Sequence, residues 1–325
     1  MHMTCKNKLR AALGSIVITM SFLSAGCGSR AIEQSYSFEE RTFHTEGQGS
    51  GHAPAFASDL CVVGDESIFS DGSFTSEAAA LFSLPDRKVM FSKNAFERLY
   101  PASITKVMTA LIALKYGNLS DVVTVTDDAV ITEAGASLCN IKPGDKLTLE
   151  QLLYGLMLPS GNDAGAAIAV HMAGDMENFS EMMNKEARKI GATGTHFTNP
   201  HGLSNENHYT TAYDLYLIFN EALKNPKFRE IIRSTSYYAE YESGKGEKVS
   251  QTWKGGNWYM TGERDEPEGV TVFGGKTGTT KAAGYCLIMG SKDNTDKEYI
   301  SVILKADSRP ALYDNMTNLI DKIVD

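Results

Sequence analysis

Ser103 and Lys106 sit three residues apart at the head of a segment whose apolar residues, at 104, 107, 108, 111 and 112, recur at helical spacing. Positions i and i+3 share one helix face, so the spacing predicts a hydroxyl beside an amine in the first turn, at the positive end of the helix dipole. Pro101 stands where a helix entry tolerates a missing N–H. A serine hydroxyl becomes a good nucleophile when a nearby base takes its proton, and a lysine held neutral can be that base. Two more short motifs follow in order, Ser160-Gly161-Asn162 and Lys276-Thr277-Gly278. The first offers a second hydroxyl and an amide, the second a cation and a hydroxyl suited to a carboxylate. Burial, the helix end and the Lys276 charge would all lower the pKa of Lys106. A Ser/Lys pair alone is most often solvated surface. A second S-x-N, Ser92-Lys93-Asn94, precedes the helix and falls in a hairpin. Three motifs in fixed order, each at a structural boundary, outweigh that bland reading.

The elements that must position these groups can be read in outline. Residues 78–83 and 88–92 are apolar runs around Leu84-Pro85-Asp86-Arg87, a β-hairpin pattern. An amphipathic helix is expected over about 103–116, and a short strand over Val122-Val123-Thr124-Val125. Thr148 and Gln151 form a capping box that opens a helix ending near Pro159. Further helices are expected at about 163–173, 177–190 and from Thr211 to about Leu223. Strands are expected at 270–273, 284–289 and 298–304, with Lys276-Thr277-Gly278 between a β-rich stretch and a strand, and a last helix at about 309–323. Strands at both ends of a helical middle predict an α+β sheet with an inserted helical subdomain.

The three motifs in this order are those of penicillin-binding proteins and class A β-lactamases. Longer runs carry a closer likeness: 97–103 (ERLYPAS), 157–164 (MLPSGNDA), Asn199-Pro200-His201-Gly202-Leu203, and Gly275-Lys276-Thr277-Gly278 with Gly284-Tyr285-Cys286. On these runs the chain, over about residues 60–310, resembles the low-molecular-mass penicillin-binding proteins, the D-alanyl-D-alanine carboxypeptidases of serine peptidase family S11. The resemblance implies an α+β, β-lactamase/transpeptidase-like fold, an antiparallel sheet flanked by helices. It implies that Ser103 attacks the carbonyl between two D-alanines of a peptidoglycan stem peptide to give an acyl-enzyme, with Lys106 as base. Ser160 would pass the proton to the leaving amine, and Asn162 would hold substrate and Lys106. Lys276, Thr277, Gly278 and Thr279 would bind substrate, with the backbone N–H groups of Ser103 and Thr279 as the oxyanion hole. β-Lactams would acylate the same serine, and neither cofactor nor metal is called for.

Rival functions are weighed against particular residues. A class A-like β-lactamase deacylates through a glutamate after the second motif, yet 191–202 holds no Asp or Glu. A non-catalytic wall-binding or β-lactam-sensing protein is disfavoured by intact Lys106, Asn162 and Lys276. The glycine a phosphate loop needs falls at Val270, so nucleotide binding is rejected. No G-x-S-x-G elbow supports a Ser-His-Asp triad. His201 reads as structural and Cys286 as packing.

The 325 residues, 42% hydrophobic and 22% charged, are enough for one large domain with a substantial core. A formal charge of −9 argues against nucleic acid as a partner. Five cysteines show no C-x-x-C or zinc spacing, and at most one bridge is expected among Cys61, Cys139 and Cys286. Lys6, Lys8 and Arg10 precede an apolar run from Ala11 to Ala25, the layout of a secretory signal. Leu23-Ser24-Ala25-Gly26-Cys27 resembles a bacterial lipoprotein box, with the larger residue at 23 rather than 24. The expected organisation is a signal over 1–26, a flexible tether over 27–57 carrying lipid on Cys27, and a peptidase domain over 58–325. An ordinary signal cleaved nearby is the alternative. The membrane attachment that relatives often carry after this domain would thus sit at Cys27, since about 15 residues follow Arg309.

Overall fold

The structure, a computed structural model, describes residues 59–63 and 74–324. The signal, Cys27 and tether expected over 1–57 lie outside the described residues. Among those described, no helix is long and apolar enough to cross a membrane.

The hairpin β1 (Ala78–Ser83) and β2 (Lys88–Lys93) joins three strands from the far end of the chain, as the pattern of strands at both ends requires. These are β7 (Val270–Thr280), β8 (Gly284–Asp293) and β9 (Glu298–Ala306), in the order β2-β1-β9-β8-β7, all neighbours antiparallel. Period-2 alternation sends Ala78, Ala80 and Phe82 into one core and Ala79 and Leu81 into another. The second face is covered by the carboxyl-terminal helix at Arg309–Asp321, through Leu312, Met316, Leu319 and Ile320. Both faces are therefore buried, and the antiparallel sheet flanked by helices is as the resemblance implied.

The helical middle packs on the other face. It comprises α1 (Lys106–Tyr116), α2 (Leu149–Met157), α3 (Asn162–Ala173), α4 (Met176–Lys189), α5 (Ala212–Leu223) and α6 (Pro226–Arg233). Thr148 caps α2 through both arms of the expected capping box. Two expectations need correction here. Helix α1 is not amphipathic, because every residue from Lys106 to Ala113 is buried. Ala110, Ala113 and Thr109 are small enough for neighbouring helices to close on the polar-looking side. The inserted region also carries a second sheet, of which the sequence shows only the strand expected at 122–125. It pairs β3 (Val122–Thr124), β4 (Lys146–Thr148), β5 (Ser236–Glu242) and β6 (Lys248–Lys254) in that order. Strands β5 and β6 expose every second residue and bury few of the others fully, so no apolar run marks them in the sequence.

Candidate active site

Ser103 does not lie in the α-helix proper. Ala102–Thr105 form a 3-10 turn that feeds directly into α1 at Lys106. In a 3-10 turn residues i and i+3 eclipse, which aligns Ser103 with Lys106 more closely than an α-turn would. Ala102 enters the turn at φ +48°, a left-handed conformation for a residue with a side chain. Ser160, heading the second motif, sits at φ +63°. Such backbone costs about 1–3 kcal/mol and persists only where the surroundings enforce it.

Lys106 is fully buried. Its Nζ lies 2.9 Å from Ser103 Oγ, 2.7 Å from Asn162 Oδ1 and 2.7 Å from the His201 carbonyl oxygen. Burial pushes its pKa well below the ordinary lysine range, and the Lys276 charge pushes the same way, against a smaller upward pull from Asp163. Lys276, also buried, donates to Ser160 Oγ at 3.0 Å and to the Thr277 carbonyl at 2.8 Å. Burial lowers it to about 7. All three motifs therefore meet. Ser160 reaches the group through Lys276 rather than through Lys106, and as an acceptor there it keeps its own proton free to donate.

Strand β7 accounts for how the third motif arrives. It runs from Val270 through Thr280, so Lys276-Thr277-Gly278 lies inside a strand and not between elements. The glycines around 274–278 had hidden this, because glycine weakens the local strand signal. Gly278 is required by proximity. A Cβ there would stand 2.9 Å from the Pro101 carbonyl oxygen and 3.0 Å from Ser103 N. The strand thus lies directly against the backbone of Ser103, with Thr279 the next residue along.

Beside these groups opens a cleft of about 410 Å³, lined by Ser103, Asn162, Gly202, Thr279 and Thr280 and by the loop Ala134–Ser137. Its lining holds no Asp or Glu, and one lysine, Lys281. The loop carrying Ser137 is fixed from beneath. Asn162 N–H donates to the Ser137 carbonyl at 2.8 Å. The buried Asp163 carboxylate accepts from Cys139 N at 2.9 Å and Ile141 N at 3.2 Å. In the sequence Asp163 stands only as part of the run 157–164, and its one signal for this work is a carboxylate following Asn162 at a helix start. The 134–137 loop left no signal at all.

His201 serves through its backbone carbonyl, and burial holds its ring neutral with a pKa of about 3. Cys286 is buried among apolar residues, its thiol pushed up to about 12, consistent with packing. Cys61, Cys139 and Cys286 are all free thiols, so none of the bridges allowed among them forms. Cys27 lies outside the described residues.

What this arrangement can do is activate a serine, hold a carboxylate and donate a proton to a leaving group, and its relatives bear names in keeping with that. The D-alanyl-D-alanine carboxypeptidase DacF of Bacillus subtilis is 34% identical over 262 residues, 77% of this chain and 64% of that protein. DacC of Escherichia coli, also a D-alanyl-D-alanine carboxypeptidase, is 33% identical over 243 residues, 72% and 57% of the two chains. The chain's match thus spans less than two thirds of the length of either. Among solved structures, the Streptomyces K15 DD-transpeptidase superposes with a TM-score of 0.71 at 30% identity, over 78% of this chain and 98% of that one. The sequence model of the S11 peptidases matches residues 66–308, which takes in all three motifs and the whole cleft, and the chain belongs to this family, the D-alanyl-D-alanine carboxypeptidases.

Proposed function

We propose that this chain is a serine-type D-Ala-D-Ala carboxypeptidase that removes the terminal D-alanine of peptidoglycan stem peptides. The observation that carries this is the contact of 2.9 Å between Lys106 Nζ and Ser103 Oγ, made by a buried lysine whose pKa burial depresses. In the proposed reaction Lys106 takes the Ser103 proton as Oγ bonds to the carbonyl carbon. The resulting oxyanion is held by the N–H groups of Ser103 and Thr279. Its collapse breaks the C–N bond, and the departing amine receives a proton from Ser160, whose hydroxyl turns from Lys276 toward Lys106 to regain the proton taken from Ser103. Water then hydrolyses the acyl-serine ester. Lys276 and Thr277 hold the terminal carboxylate, and Gly278 lets the strand approach.

The absence of Asp or Glu from the cleft lining supports slow deacylation of a penicilloyl-enzyme, against the β-lactamase reading. The site of action would be outside the cytoplasm, reached through the signal over 1–26 and the tether of 27–57, with lipid on Cys27. Fatty-acid labelling lost in Cys27→Ala tests that part.

One incubation separates the readings. The chain from about residue 58 is mixed with diacetyl-Lys-D-Ala-D-Ala and, separately, with penicillin. The proposal expects D-Ala release and a persistent penicilloyl adduct, both lost in Ser103→Ala. Rapid penicillin turnover without D-Ala release makes it a β-lactamase, and a stable adduct without D-Ala release makes it a sensor.

A further inference from the structure

We propose that His208 is a positioning residue for acylation, acting through the Thr105 hydroxyl on the peptide that carries the Ser103 N–H. His208 is buried and lies 103 residues from Thr105 in sequence. Thr198 N–H donates to His208 Nδ1 at 3.1 Å, so the ring proton is on Nε2. Nε2–H then donates to Thr105 Oγ1 at 2.8 Å, and that hydroxyl donates in turn to the Ala102 carbonyl oxygen, also at 2.8 Å. The Ala102 C=O and the Ser103 N–H belong to one planar peptide unit and point in opposite directions. Fixing the carbonyl therefore fixes the amide that serves as an oxyanion donor in the proposed function.

The turn has reason to move without this support. Ala102 holds φ +48°, from which an alanine relaxes readily if its carbonyl is released. Gly202 closes on the same oxygen, since a Cβ there would fall 1.9 Å from it. Burial drives the His208 pKa to about 3, with the charges of His196 and Lys106 adding to the effect. The ring stays neutral, and its part is to orient.

The test compares His208→Gln, which can return an N–H to the Nε2 position, with His208→Asn, which reaches only the Nδ1 position. Penicillin saturation kinetics give the acylation rate constant and the non-covalent dissociation constant separately, and thermal melts report folding. We expect Asn, and Thr105→Val, to slow acylation about 10- to 100-fold at unchanged dissociation constant, short of deleting an oxyanion donor outright. Gln should stay near wild type, and the Asn/Val double variant should be no slower than the slower single. Equal slowing by Asn and Gln, or multiplicative slowing in the double variant, overturns the inference. If the Asn variant does not fold, Thr105→Ser against Thr105→Val decides, and equal rates overturn it. The inference rests on acylation of Ser103: a wild-type protein that is never acylated overturns both readings, whereas a reactive wild type with Asn equal to Gln overturns this one alone.

Discussion

Lys106 Nζ stands 2.9 Å from Ser103 Oγ, while its two other partners, Asn162 Oδ1 and the His201 carbonyl, can only accept. A neutral amine has two hydrogens and one lone pair. The two acceptors take the hydrogens, and the lone pair is left facing the serine hydroxyl. The ammonium form would instead donate to all three, with no site for a proton. Burial first, and then the Lys276 charge, favour the neutral form. Arginine is always charged in proteins. Lys106→Arg should therefore slow penicillin acylation by about 10²–10⁴-fold, the usual worth of a general base. Acylation followed by mass spectrometry checks this, and a loss under tenfold rules out Lys106 as the base.

Lys276 sets the other side of the pH profile. Its folded pKa of about 7 means the ammonium is present below that pH and lost above it. Carboxylate binding needs the ammonium, whereas acylation needs Lys106 neutral. On peptide substrate, kcat/KM reports the free enzyme. It should rise on the acid side as Lys106 gives up its proton, then fall as pH climbs through about 7 and Lys276 loses its charge. Lys276→Arg keeps the cation, so its alkaline limb should disappear whatever happens to the maximum. A wild-type profile that stays flat well above neutrality, or an unmoved limb in the arginine variant, removes Lys276 from carboxylate binding.

The parts of this site that were legible in sequence are those where chemistry and local pattern coincide. Ser103 and Lys106 share a turn because three residues separate them, and Thr148 with Gln151 announces a helix start by itself. The central sheet followed from apolar runs at both ends of the chain. What stayed hidden depends on distant packing. Helix α1 looked amphipathic because Thr109 and Lys106 are polar, but their partners are the Pro200 and His201 carbonyls, 91 and 95 residues away. Glu186 falls on the apolar side of its helix, between Met183 and Ile190, and is buried there, where it receives Lys115 Nζ and Tyr116 OH at 2.6 Å each from a helix about 70 residues away. The left-handed turns at Ala102 and Ser160 had no glycine or asparagine to mark them, because tertiary contacts impose them.

Gly278 offers a test of how tightly strand β7 must lie against the nucleophile. A Cβ on it would meet the Pro101 carbonyl oxygen at 2.9 Å, Ser103 N at 3.0 Å and Ile104 N at 3.1 Å. All three are backbone atoms, so no side-chain end can swing aside, and the strand and turn must part by a few tenths of an ångström. That displaces the Ser103 amide relative to Thr279, where misplacement by about 1 Å can cost 10²-fold in rate. Gly278→Ala should slow acylation about 10- to 100-fold at a stability cost of about 1–3 kcal/mol. Gly174→Ala is the matched control: it also carries strain, at φ +88° after helix α3, but its Cβ would enter open space. That variant should lose stability, by about 1–2 kcal/mol for the left-handed backbone, and acylate at the wild-type rate. Stopped-flow acylation and thermal melts on both proteins separate the two effects. If Gly278→Ala acylates as fast as Gly174→Ala, the close approach of the strand is a packing feature and the oxyanion geometry does not depend on it.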